Sequence, residues 1–194
     1  MTVLDWVAAV VLLIQLPIPL FWLVVHPLVG FWRRHVRAAY VVAGAGSWGA
    51  VGAFLYDFRD RLFVSEQAPL WAVLAGFVLL AGDGYTLYRV KRELGAARLV
   101  GKAELAGAGE LATQGIYARV RHPRYTGMMA AVVGACLLAG SLLMWVVAAA
   151  WFPLVLLATE LEERELRARF GAAYLAYSKR VPRFLPLRFW PRQD

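Results

Sequence analysis

The sequence predicts an all-α integral membrane protein of about five membrane helices, the last two forming a hairpin under a cytoplasmic cap and tail. Three observations carry that prediction. Hydrophobic residues make up 61% of the 194-residue chain, against about 45–50% in soluble globular domains, and the mean hydropathy is +0.57. Apolar stretches long enough to cross a bilayer recur along the chain. The 21 lysines and arginines, against 13 acidic residues, fall almost wholly on one side of the membrane those stretches define.

The first stretch runs from about Val3 to Val25 and suits one crossing, for which roughly 20 residues are needed. It lacks the basic flank and the small-residue cleavage site of a signal peptide, so it reads as a retained helix. Pro17 and Pro19 should kink it, leaving carbonyls that neighbouring helices or water must satisfy in lipid. The second and third stretches run from about Ala39 to Tyr56 and from about Leu70 to Tyr88. The fourth, Met128 to Ala158, is too long for one crossing. Gly140 and Ser141 can form a tight turn, which divides it into arms of about Tyr125–Ala139 and Leu142–Ala158. The first arm is short and is expected to sit only partly through the bilayer.

Charge placement tests this count. With the hairpin in place, every lysine and arginine except Arg59 and Arg61 lies on one side. Cationic loops stay cytoplasmic, which predicts an outside N-terminus and a cytoplasmic C-terminus. The net charge of +8 is then a matter of topology. No basic stripe with interleaved aromatics points to nucleic acid. Cys136 lies in an apolar run, so no disulfide framework is available and the residue reads as a small core hydrophobe. His26, His35 and His122 are scattered, and no metal site is expected.

The chain is expected to form one structural unit with an N-terminal three-helix region over residues 1–90 and a C-terminal core over 91–194. Outside the membrane lie a linker of about Lys91–Arg121 and a tail of about Glu160–Asp194. "AELAGAGELA" in the linker is Ala/Gly-rich and reads as a flexible or weakly helical connector. In the tail, Leu161, Leu166, Phe170, Tyr174 and Tyr177 can share one face. The tail should therefore extend the fifth helix, fold back at Gly171 and stop at Pro182 and Pro186, with Trp190 at the headgroups.

The polar segment between Gly115 and Gly127 reads "GIYARVRHPRYTG" and abuts the hairpin. It is followed by "ELEEREL", "FGAAY" and "YSKRVPRFLP". These elements, in this order, resemble the isoprenylcysteine carboxyl methyltransferase and phospholipid methyltransferase superfamily of membrane enzymes. Members of that superfamily carry an Arg-His-Pro-x-Tyr-x-Gly element, a helical hairpin, a Glu-Glu pair, then Phe-Gly, Tyr and Val-Pro. The resemblance covers about Leu94 to Pro186; the first two helices carry no such signature.

The resemblance implies S-adenosyl-L-methionine in a pocket roofed by the cytoplasmic segments, with its methyl toward a tunnel open to the bilayer. Matched position by position, the implied cofactor-binding residues are Tyr117, Arg121, His122, Tyr125, Gly127, Glu162, Glu163, Tyr174 and Tyr177. Glu163, the second of the glutamate pair, is the implied functional carboxylate, and Arg180 the implied substrate contact. Structural readings stand beside each of these. The tyrosines suit an aromatic belt or amphipathic packing, Arg121 a topological charge, Arg180 a headgroup contact, Gly127 helix packing and the glutamates a solvated face. His122 precedes Pro123 at a helix start, where exposed backbone N–H groups offer an anion site. Adjacent on a helix, Glu162 and Glu163 point about 100° apart and do not make a two-carboxylate acid/base pair. Where the eukaryotic isoprenylcysteine enzymes place an arginine before the glutamates, this chain has Ala158 in "LLATELEE".

Asp83, in "LLAGDGYTLY", sits within the third helix, where an ionisable group costs at least about 2.5 kcal/mol and marks a functional hypothesis. It could act as a general base or orient an acceptor; alternatively it pairs with Arg89. The expected function is methyl transfer from S-adenosyl-L-methionine to a lipophilic, membrane-partitioned acceptor such as an isoprenylcysteine-type carboxylate, a phospholipid amine or a thiol. A sterol-reductase-like NADPH-dependent enzyme and a non-catalytic lipid-binding protein are the alternatives. Membrane lipids are the expected surroundings, and the oligomeric state is open.

Overall fold

The computed structural model describes residues 1–95 and 110–185. Pro186, Trp190 and most of the "AELAGAGELA" connector lie outside the described residues. Among the described residues, eight α-helices of six residues or more organise the fold: α1 (Val3–Gln15), α2 (Pro17–Val25), α3 (Val29–Arg34), α4 (Ala45–Asp57), α5 (Leu70–Leu94), α6 (Pro123–Ala139), α7 (Leu142–Phe170) and α8 (Ala172–Arg180). Among the described residues, four continuous helical spans are long and apolar enough to cross a membrane: Val3–Arg34, Val36–Asp57, Leu70–Leu94 and Leu142–Phe170. The 17-residue α6 is the shorter fifth.

The elements follow their local sequence. Thr2 caps α1 in a reciprocal capping box with Asp5. Pro17 opens α2 at its first turn, where its missing N–H is one of the unpaired donors anyway, and the Trp151 indole of α7 donates to the Leu16 carbonyl at the junction (3.1 Å). The second span begins at Val36 rather than Ala39 and enters α4 through a π-helical turn over Ala39–Gly44. α5 runs on past Tyr88 to Leu94, since its polar end projects beyond the apolar part. α7 likewise continues through the glutamates to Phe170. Gly171, at φ +52°, then turns the chain into α8.

α6 is the most enclosed helix. Met128, Ala131, Val132, Ala135, Cys136, Leu138 and Ala139 are all fully buried, and it packs chiefly against α5 and α1. In lipid, helices associate through close packing rather than burial of apolar surface from water, which favours small residues at the contact. A Cβ on Gly134 would lie 2.9 Å from the Gly76 carbonyl oxygen, and one on Gly76 would lie 3.0 Å from that of Gly134.

The two ends of the bundle differ. At one end the Val64 N–H donates to the Ala139 carbonyl (2.9 Å) and the Ser141 hydroxyl to the Arg61 carbonyl (2.7 Å). Ser65 N–H donates to Asp5 (3.1 Å). The N-terminus, the α4–α5 connection and the hairpin turn at Gly140 therefore meet there. The polar segment, the extension of α7 and α8 gather at the opposite end.

Candidate functional site

The site is assembled from the polar segment upward. Glu93, in the last turn of α5, accepts from the Ile116 N–H (2.7 Å) and fixes the start of the segment. Gly115 adopts φ +60°, and a Cβ there would strike the Glu93 carboxylate at 2.3 Å, so the close approach requires glycine. The chain after α8 then lies along the segment. Arg121 N–H donates to the Pro182 carbonyl (2.9 Å) and His122 N–H to that of Arg183 (3.0 Å). The Thr126 hydroxyl donates to the Phe184 carbonyl (2.9 Å), the Tyr177 hydroxyl to that of Tyr117 (2.7 Å) and the Arg121 guanidinium to that of Ser178 (2.6 Å). The His122 N–H that sequence reading offered to an anion is thus used by the tail.

Beneath this strap Glu163, only 2% exposed, is the centre of a charge cluster. Its Oε1 lies 3.0 Å from His122 Nε2 and 3.0 Å from Arg121. Arg183 donates to both of its oxygens, at 3.0 and 2.8 Å, and also reaches Glu160 (2.8 Å). Glu162, one residue earlier, faces elsewhere on α7, its Oε2 3.6 Å from His122 Nδ1.

A cavity opens beside the cluster. Of the sequence-predicted residues, Tyr117, Arg121, His122, Tyr125, Glu162, Tyr174 and Tyr177 line it. Leu166 and Phe170 of α7 add apolar surface, while Glu165 and Arg169 follow Glu162 along the same face at helical spacing. Burial pushes both phenols of α8 up, that of Tyr177 to about 12, so both stay neutral. Among the described residues, the Tyr174 hydroxyl and Arg121 Nε are buried without a hydrogen-bond partner.

Four predicted residues lie off the cavity wall. Glu163 stands behind His122, its oxygens taken up by that residue and the arginines. Gly127 faces α5: a Cβ there would sit 2.0 Å from Thr86 Oγ1 and 2.6 Å from Asp83 Oδ1, so it serves helix packing. Arg180 is exposed at the end of α8. Asp83 pairs with Arg124 (2.7 Å) and accepts from the Gln15 amide (2.7 Å), while Arg124 also donates to Gln15 (2.8 Å). Asp83 does not pair with Arg89, which instead bonds Glu93 and the Tyr85 hydroxyl. Arg89 points away along the outer face of α5, whereas Arg124 comes from the helix packed against it.

Sequence reading missed His26 and Arg124 on the wall and Arg183 in the cluster. Glu165 carried a signal, being three residues after Glu162 and so on its face. His26 carried none.

A family model for phospholipid methyltransferases matches residues 71–173, more than half of the chain. The chain belongs to the phospholipid methyltransferase family. The matched segment spans α5, the polar segment, the α6–α7 hairpin and the first residues of α8. It leaves His26, Tyr174 and Tyr177 outside. No curated protein and no solved structure matches the chain significantly. Membership in this family and the four apolar spans together make it an integral membrane protein of a methyltransferase family.

Proposed function

We propose that the protein is a membrane methyltransferase that uses S-adenosyl-L-methionine to methylate a lipophilic acceptor, with its cavity and C-terminus on the cytoplasmic side. The observation that carries this reading is the convergence of seven predicted residues, from the polar segment, α7 and α8, on one cavity at the end of an apolar bundle.

The chemistry of the lining fits the cofactor. Buried donors without partners among the described residues, the Tyr174 hydroxyl and Arg121 Nε, suit its carboxylate or ribose oxygens. Glu162, lining the cavity with 30% of its side chain exposed, suits its ammonium. Tyr117 and Phe170 supply aromatic and apolar surface for a nucleobase. Bound there, S-adenosyl-L-methionine supplies an electrophilic methyl group carried on a sulfonium.

The chain's own residues act by holding and excluding. Glu163 keeps His122, Arg121 and Arg183 in one arrangement, which fixes the tail over the segment. The strap of residues 181–184 limits water, and alignment with dehydration lowers the barrier of an in-line displacement. The positive-inside bias supports the cytoplasmic placement.

The test is incubation of purified protein with methyl-labelled S-adenosyl-L-methionine and a total lipid extract. The expected result is label in a lipid-soluble product that requires the protein. Absence of labelled lipid together with saturable NADPH binding would replace this reading with a reductase.

A further inference from the structure

His26 ends α2, outside the matched segment, yet it lines the same cavity as the polar segment. Its side chain is only 4% exposed. The ring stacks on Trp22, with centroids 4.9 Å apart and planes 24° from parallel. Nδ1 lies 3.2 Å from Glu165 Oε2, and Glu165 is in turn held by Arg33. A carboxylate bound to one ring nitrogen fixes the tautomer and leaves the other nitrogen as a base. Among the described residues nothing hydrogen-bonds to His26 Nε2.

His122 and Arg124, also on the wall, are paired within the protein. His122 gives Nε2 to Glu163, and Arg124 gives its guanidinium to Asp83 and Gln15. Glu162 lies near His122, and Arg169 sits on the same face of α7 as Glu165. Of the two imidazoles on the wall, His26 is therefore the one with a ring nitrogen left over among the described residues.

We propose that His26, oriented by Glu165 and Trp22, is the proton acceptor of the transfer step, so that the methylated molecule carries a proton on its nucleophilic atom. The inference rests on the methyltransferase reading. In the step, the acceptor heteroatom bonds to the methyl carbon as the carbon–sulfur bond breaks with its electron pair passing to sulfur. The proton released from the heteroatom moves to His26 Nε2 and then to water, and the neutral thioether departs. A carboxylate acceptor would give His26 no proton to take.

The test uses the full chain in nanodiscs of total lipid extract with isotope-labelled histidine. The three histidines are assigned with His26→Gln, His35→Gln and His122→Gln. The expected result at neutral pH is His26 with its proton on Nδ1, and loss of that single-tautomer signature in Glu165→Gln, because the carboxylate that fixes Nδ1 is gone. Transfer of methyl label to lipid should fall about 100-fold or more in kcat for His26→Gln, with S-adenosylhomocysteine affinity changed by less than about twofold. A proton on Nε2, no response to Glu165→Gln, or undiminished transfer by His26→Gln overturns the proposal. If the wild-type chain binds no S-adenosylhomocysteine, the methyltransferase reading fails and the proposal falls with it, whatever the tautomer.

Discussion

Two buried polar networks in this protein use the same residue types and differ in whether they close. Between the helices, Gln15, Asp83 and Arg124 form a ring of three hydrogen bonds linking α1, α5 and α6. Both Asp83 oxygens are occupied, as are the two terminal nitrogens of Arg124. The cluster around Glu163 also pairs its charges, but among the described residues the Tyr174 hydroxyl and Arg121 Nε beside it are left over, whereas Arg124 of the ring reaches the same cavity with both terminal nitrogens taken. A closed ring serves packing, since an unpaired charge in lipid is costly. An open cluster with surplus donors is a place for a polar ligand.

The largest effect is expected at the centre of the open cluster. Glu163→Ala leaves Arg121, His122 and Arg183 without their common partner, and breaking a buried ion pair in this way costs about 3–5 kcal/mol. Thermal unfolding in detergent should show the loss, with ligand binding abolished. A variant that unfolds like the wild type would mean the cluster does not hold the tail.

The closed ring should behave differently. Asp83→Asn sets an amide against the Gln15 amide and weakens the Arg124 pair, a loss of about 1–3 kcal/mol. Per folded molecule, its methyl transfer should stay within about tenfold of the wild type, whereas removal of a general base lowers it about 100-fold or more. A loss of the second kind, measured at equal folded fraction, would move Asp83 from the packing ring into the chemistry.

Smaller changes sharpen the contrast. Tyr174→Phe removes a hydroxyl that has no partner among the described residues, so stability should shift by no more than about 0.5 kcal/mol. Affinity for S-adenosylhomocysteine should drop about fivefold to tenfold, as expected for one hydrogen bond. Equal affinity would place the ligand away from α8. Arg180→Ala, at an exposed position, should leave both quantities unchanged in the same assays.

The helices, the hairpin turn at Gly140 and the fold-back at Gly171 were legible because length, hydropathy and glycine placement are local properties. So was the gathering of Tyr117, His122, Glu162 and Tyr174 at one end, which topology dictates once the hairpin is drawn. The rotation of each helix about its axis was not legible. That rotation puts Glu162 rather than Glu163 on the wall, and Arg124 rather than Arg89 on Asp83. Charge counting treats Arg124 as one more cytoplasmic cation, although packing turns it into the bundle. His26 belongs to a region without a motif, and only the approach of α2 to α7 brings it to Glu165.

The central claim is that the open cluster borders a cofactor site, and calorimetric titration of S-adenosylhomocysteine into the purified full chain tests it most directly. The account predicts saturable binding to one site per chain, weakened by Tyr174→Phe and unaffected by Arg180→Ala. No binding by a folded wild-type protein at about millimolar ligand, a weak affinity of about −4 kcal/mol, would contradict it.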